Sequence, residues 1–199
     1  MSTHSAKLGI VEGFYGKPYQ KTVREYLMQR SAATGFSFYI YAPKNDVSLR
    51  SKWNFDFKED DLCNLACMAT YAHSLGLGFS VSLSPVGICS KGKAGEAQLI
   101  KKFKTLEKIN ACDFFTLFFD DIPADCPDLG KKQNVLIKAL QKNRTNKRGK
   151  IFICPSFYSF DPVLARVFGK MPPDYFSDLT KDLDNDVCFF WTGNRVLSQ

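Results

Sequence analysis

Phe114-Phe-Thr-Leu-Phe-Phe-Asp-Asp121 places six residues of strand-forming, mostly aromatic character directly before two carboxylates. A run this short and apolar, ending abruptly in charge, reads as a buried strand whose carboxyl end opens into solvent. Working outward, similar runs recur at 8–11, 36–41, 78–83, 150–154 and 186–191, making six strands expected to be apolar on both faces. Between them lie stretches of helical period at 20–33, 59–75, 95–110 and 131–143, with a weaker one at 172–183. Asp60 and Asp61 open the second, where acids favour the helix dipole, and Gly76 follows it as a stop signal. Strands alternating with helices at a spacing of ~35–40 residues argue an α/β fold with a parallel sheet. An open doubly wound sheet can stop at six strands, whereas a closed (β/α) barrel needs eight. The last run ends at Trp191, eight residues from the end of the 199-residue chain, so a barrel would lack its final two units.

Composition narrows the class. Hydrophobic residues make up 45% of the chain and aromatics 14%, which excludes a disordered or low-complexity polymer. No apolar run approaches the ~18–20 residues needed to span a bilayer. The polar start, residues 1–7, has no signal-peptide core, so a cytoplasmic or nuclear location is expected. Seven cysteines, with no CxxC spacing and only two histidines beside them, argue against a Cys/His zinc site. The 27 basic and 20 acidic residues set the formal charge at +7. Eight of the bases fall between Leu129 and Phe160, where no acid occurs: Lys131, Lys132, Lys138, Lys142, Arg144, Lys147, Arg148 and Lys150. No aromatics interleave the bases of 131–150, so we read them as a solvated helix end and loop, not as a nucleic-acid surface.

Ligands of α/β folds bind at the carboxyl ends of the strands. Those ends carry Glu12-Gly-Phe-Tyr-Gly16, Ala42-Pro-Lys-Asn-Asp46, Ser84-Pro85, Asp120-Asp121, Cys154-Pro-Ser-Phe-Tyr158 and Trp191-Thr-Gly-Asn194. Carboxylates and a lysine suit hydroxyl groups, and aromatics suit ring faces, so a polyol or sugar pocket is expected. Two adjacent carboxylates in a partly desolvated place push at least one pKa up, as an acid working near neutrality requires. The same pair can instead cap the following turn, or, with Glu12 and Asp46, supply oxygens to a magnesium ion.

Val11-Glu-Gly-Phe-Tyr-Gly-Lys-Pro18, Tyr41-Ala-Pro-Lys-Asn-Asp46, Arg50-Ser-Lys-Trp53, Leu117-Phe-Phe-Asp-Asp-Ile122, Cys154-Pro-Ser-Phe-Tyr158 and Trp191-Thr-Gly193 together resemble glycoside hydrolase family 84, the β-N-acetylglucosaminidases that include O-GlcNAc hydrolases. The resemblance implies a (β/α)8 TIM barrel, here incomplete with about six βα units: a polar tail at 1–7 and the catalytic barrel at 8–199. It implies retaining hydrolysis of terminal β-linked GlcNAc, in which the sugar's own 2-acetamido oxygen attacks the anomeric carbon to give an oxazoline. Asp120 then holds the acetamido N–H, and Asp121 is the general acid and later the base. Gly13 offers its carbonyl to a sugar hydroxyl, Lys44 contacts ring hydroxyls, and Tyr158 borders the acetamido group. Cys154 and Thr192 line the pocket for its methyl, although Cys154 reads equally as a core thiol. Lys44 can also pair with Asp46. Arg50 and Trp53 read as structural.

No cofactor and no metal are implied, and the partners are GlcNAc-modified proteins or GlcNAc glycosides, with no membrane. The sequence departs from the family at Tyr19, usually Trp, at the extra Val86 in Ser84-Pro-Val-Gly87, and in length. Two alternatives stand beside this reading. One is a truncated, non-catalytic relative. The other is a metal-dependent Asp-Asp hydrolase on an open sheet.

Overall fold

The computed structural model describes residues 7–123, 126–147 and 149–196; the polar tail up to residue 6 and Arg148 of the basic stretch lie outside them. The elements in order are β1 (Gly9–Glu12), α1 (Lys21–Ala33), β2 (Phe38–Tyr41), α2 (Glu59–Ser74), β3 (Gly78–Leu83), α3 (Gly92–Lys108), β4 (Phe115–Phe118), α4 (Leu129–Asn143), β5 (Ile151–Cys154), α5 (Pro162–Phe168), α6 (Tyr175–Thr180) and β6 (Val187–Phe189). The strands form one sheet in the order β1-β2-β3-β4-β5-β6, every neighbour parallel. A doubly wound sheet reverses its order partway across. This one does not. Each strand adds to the same side of the last, which curls the sheet into an incomplete (β/α)8 barrel with β1 and β6 at its edges.

Two faces of that sheet differ in chemistry. Outward-facing Tyr39, Phe79, Val81, Leu83, Leu117, Ile151 and Ile153 are buried beneath the helices with Trp53, Leu99, Phe103 and Ile137. The inward face packs a second cluster of Ile40, Ala42 and Phe118 with Phe38, Phe114, Cys154 and Phe190. Rings fill this lumen edge to face: Phe38 meets Phe114 at 5.6 Å, Phe114 meets Phe152 at 5.2 Å, and Phe118 meets Phe190 at 5.5 Å. Phe118 is the buried ring among them, and burying such a ring fully is worth about 1.5–3 kcal/mol; the others are partly buried. Room for the rings comes from small neighbours. A Cβ on Gly9 would lie 2.0 Å from the Phe38 ring, so a side chain there would evict it.

The inward face of β3 corrects the expectation of strands apolar on both sides. It carries Ser80 and Ser82, both buried, whose hydroxyls reach across to β4: Ser80 Oγ to the Phe114 carbonyl at 2.6 Å and Ser82 Oγ to the Thr116 carbonyl at 3.3 Å. Small hydroxyls bonded to backbone fit where a third layer of rings would not.

The helix α5 falls in a segment to which the sequence pattern assigned no element. Its start was legible, because Asp161 accepts from the Val163 N–H at 3.0 Å and Pro162 occupies the first turn. The same carboxylate accepts from the Val196 N–H at 3.0 Å, and these two backbone bonds hold its pKa below the usual range. In the basic stretch, Lys131 pairs with Asp128, Lys138 with Asp182 and Arg144 with Asp186, while Lys150 donates to the Asn185 carbonyl. The lack of acids is a property of that segment of sequence; partners come from elsewhere in the fold.

Lys102 is a buried lysine on α3. It lies 3.7 Å above the centre of the Phe57 ring and donates to the Ser48 carbonyl at 2.5 Å, supporting the long loop after β2. Burial pushes its pKa down to about 8 against an ordinary value of 10.5. Between those values the unfolded chain holds a proton that the folded protein has released, so this group's contribution to stability rises with pH across that window and is least favourable below it. Lys102→Met is therefore expected to compare better with the native chain at pH 7 than at pH 10. Thermal unfolding at the two pH values checks this, and an unchanged difference contradicts it.

Candidate active site

Strand β4 delivers its two carboxylates to the open end of the lumen. In a regular strand, neighbouring side chains point to opposite faces, which would send one aspartate outward. Asp121 breaks the alternation with a left-handed backbone, φ 56°, a conformation that aspartate tolerates better than most residues. Both side chains consequently converge on Lys44, from the loop after β2. Its Nζ lies 2.5 Å from Asp120 Oδ2 and 3.8 Å from Asp121 Oδ2. The Lys44 side chain is nearly inaccessible, at 3% exposure against 16% for Asp120 and 21% for Asp121, and its Nζ sits 5.9 Å from the centre of the Phe118 ring. The alternative Lys44–Asp46 pairing gives way to this one. Asp46 instead accepts from the backbone and hydroxyl of Ser48 at 3.0 and 2.7 Å, closing a turn, and from Tyr41.

Asp120 is electrostatically divided. Burial pushes its pKa up, while Lys44 pulls it back, Asp121 raises it, and Arg50 lowers it. Its oxygens are unequal as well. Oδ2 is held by Lys44, whereas Oδ1 is buried without a hydrogen-bond partner. A buried acceptor left unmade costs about 1–3 kcal/mol, and such a defect is kept where a ligand supplies the donor.

Tyr158, in the loop after β5, stands in the field of both aspartates; burial first, then Asp121 and Asp120, push its phenol up to about 12. Cys154 at the end of β5 feels the same pair, and burial pushes its thiol well up. It faces the lumen cluster, so its core and site readings coincide in one position. Gly13 follows β1 beside this loop: Phe14 O accepts from the Lys44 N–H at 3.1 Å, and a Cβ on Gly13 would press to 3.1 Å from Val11. Thr192 is exposed and joins the group through Tyr158, whose carbonyl accepts from its N–H at 3.0 Å and its hydroxyl at 3.4 Å.

Glu12 does not belong to the group. It points out of the lumen to α1, where Arg24 Nε reaches Oε2 at 2.7 Å and Nη2 reaches Oε1 at 2.9 Å. Tyr39 OH at 2.8 Å and the Tyr19 N–H at 3.2 Å occupy the remaining lone pairs. With four donors on its two oxygens, it is a structural anchor and not a candidate ligand for magnesium.

Arg50 does more than the structural part read for it. Its guanidinium donates to the Asp121 carbonyl at 2.8 Å, to Tyr15 OH at 3.2 Å and to Ser84 Oγ at 3.0 Å, so one planar fork ties the loops after β1, β3 and β4 together. Trp53 is structural as expected, fully buried with its indole N–H on the Val86 carbonyl at 2.9 Å. Beneath Asp120 lies a network that sequence reasoning missed. Ser156 Oγ donates to the Phe119 carbonyl at 3.1 Å and accepts from Gln133 Nε2 at 2.8 Å, and Tyr175 OH links Gln133 Oε1 at 2.6 Å to the Ser156 N–H at 2.9 Å. These residues come from α4, the loop after β5 and α6. Their spacing in the chain carries no signal of one another; only Ser156 and Tyr175 stand near recognisable segments.

The geometry can bind a neutral polar group that brings its own N–H or O–H to Asp120 Oδ1, with a second carboxylate beside it to move a proton. The family model described as beta-N-acetylglucosaminidase matches residues 8–199. The chain is 29% identical over 209 aligned residues to the protein O-GlcNAcases of Rattus norvegicus and Mus musculus, covering 96% of this chain and 21% of each relative. Among solved structures it resembles a mutant of Thermobaculum terrenum O-GlcNAc hydrolase, with a TM-score of 0.82 and 28% identity over 96% of this chain and 42% of that one. CpGH84B gives a TM-score of 0.81 and 26% identity, over 96% of this chain and 34% of that one. The chain thus spans less than half the length of each of these proteins, and over that span the six-stranded parallel half-barrel with its paired aspartates belongs to the β-N-acetylglucosaminidase family, glycoside hydrolase family 84.

Proposed function

We propose that this chain carries the catalytic pair of a retaining β-N-acetylglucosaminidase, acting on terminal β-linked GlcNAc, including O-GlcNAc on proteins, through an oxazoline intermediate. The observation that carries the reading is the unpartnered, buried Oδ1 of Asp120 beside a second carboxylate. An acetamido N–H is a donor of the right kind for it. Once that bond is made, the negative charge of Asp120 stabilises the positive charge that develops as the acetamido oxygen attacks the anomeric carbon. Asp121 gives its proton to the glycosidic oxygen as the C1–O bond breaks. It then takes a proton from water as the water attacks C1 and opens the oxazoline, so the configuration at C1 is retained after two inversions.

Lys44 opposes the upward push of burial on the Asp120 carboxyl and has donors to spare for ring hydroxyls. Gly13 offers its carbonyl to a hydroxyl, Tyr158 borders the acetamido group, and Cys154 and Thr192 line its methyl. Arg50 acts as a positioning residue by fixing the Asp121 carbonyl.

The test compares an aryl β-N-acetylglucosaminide with the aryl β-glucoside that lacks the acetamido group, both with EDTA present. Turnover of the first alone is expected, since the nucleophile is part of that substrate. Equal turnover of both, or loss of activity with EDTA that added magnesium restores, overturns the mechanism and favours a metal-dependent hydrolase. Silence from a folded sample overturns catalysis by this span and favours a non-catalytic relative.

A further inference from the structure

The loop at 42–58, between β2 and α2, brings Lys44 and Arg50 to the aspartate pair and is held from behind by α3. Lys102 on that helix is 1% exposed. Its ammonium donates to the Ser48 carbonyl at 2.5 Å and lies 3.7 Å from the centre of the Phe57 ring, so one cation pins the loop near its start and at its end. Ser48 is gripped on its other side as well, its N–H donating to Asp46 Oδ1 at 3.0 Å. The next carbonyl, that of Leu49, accepts from the Ser84 N–H at 2.9 Å. Arg50 follows directly, with its fork on the Asp121 carbonyl and Ser84 Oγ. A shift of Ser48 therefore moves the residue that fixes the Asp121 carbonyl.

We propose that Lys102 is a positioning residue for the reaction, its charge drawing the Ser48 carbonyl onto α3 so that Arg50 and Lys44 meet the aspartate pair; the role rests on the hydrolase reading of that site. Stability alone does not call for a charge here. Burial brings the Lys102 pKa down to about 8, although Asp46 and Asp56 from the loop and Asp61 from α2 all favour the charged form. Asp56 is itself held by Lys101 at 2.6 Å. A methionine fills a similar volume without the cost of burying a cation, but it cannot pull on a carbonyl. Below the Lys102 pKa the bond to Ser48 is charge-assisted; above it the neutral amine makes a weaker one.

The experiment compares the native chain with Lys102→Met at pH 7 and pH 9.5, by turnover of an aryl β-N-acetylglucosaminide and by hydrogen exchange of the loop, corrected for the intrinsic rate. At pH 7 the variant is expected to lose about tenfold in kcat/KM, the cost of a slightly misplaced site. At pH 9.5 the two should agree within about twofold, because little of Lys102 then keeps its proton in the native chain. Taking the ratio of the two cancels the titration of every group they share, so a constant ratio overturns the proposal, as does equal activity at pH 7. Exchange in peptides covering 46–52 is expected to be about tenfold faster in Lys102→Met at pH 7 than in the native chain, with the β3 strand unchanged. Absence of turnover by the native chain counts against the hydrolase reading of the site, and exchange then decides the pin: equal loop protection at pH 7 overturns it. If Lys102→Met unfolds, the native chain decides alone, and loop protection that does not fall between the two pH values overturns the proposal.

Discussion

Asp121→Ala is expected to lower kcat/KM for a β-N-acetylglucosaminide with a poor leaving group by roughly 10²–10⁴, the usual worth of general acid–base catalysis. With a strongly activated aryl leaving group the loss in glycosidic cleavage should be far smaller, because such a group departs without a proton. The same substitution at Asp120 should behave differently. Its charge acts on the acetamido group and not on the leaving oxygen, so Asp120→Ala is expected to cost about 10²–10³ whichever leaving group is used. The two residues are adjacent, share Lys44 and have similar exposure. A leaving-group series therefore separates their roles where single rate measurements would not. Equal losses across the series for both variants would sink the assignment.

The second large effect concerns stability. Glu12 and Arg24 form a buried bidentate pair, with side chains 0% and 10% exposed, closed by Tyr39 and the Tyr19 backbone. Removing one partner of such a pair strands the other charge, and Glu12→Ala is expected to cost about 3–5 kcal/mol. Glu12→Leu combined with Arg24→Met removes both charges and should recover much of that loss, since a well-packed apolar replacement of a buried pair is often neutral. Urea unfolding of the single and double variants measures both. A cost below about 1 kcal/mol for Glu12→Ala would mean that the pair behaves like an exposed one. The outcome bears on the site because β1 ends at Glu12, and Gly13 continues from it.

Much of this was readable before any contact was known. The strand over 78–83 stands where its apolar content placed it, and β2, β4 and β5 differ only at their ends. Their signal is local: a short hydrophobic run closed by polar residues, which needs no partner to be recognised. The second helix was legible for the same reason, from its acidic first turn and Gly76, which takes φ 75°. Even the helix missed at Pro162–Phe168 had a local start signal in Asp161-Pro162. Glu12 was misread because its place at a strand end says nothing of which side it faces, and Arg24 lies on a helix that the strand does not reveal.

Sequence alone determined the α/β class, the six strands, the family resemblance and the two aspartates at the end of the fourth strand. Tertiary structure decided between an open sheet and a barrel, since that depends on which strands pair, and pairing is non-local. It also decided that Asp120 and Asp121 face the same way. That requires a left-handed residue at Asp121 and an ammonium from Lys44, 76 residues before Asp120 in the chain. Adjacent carboxylates in an extended strand diverge and repel, and only a fold that brings a buried cation between them makes their convergence stable.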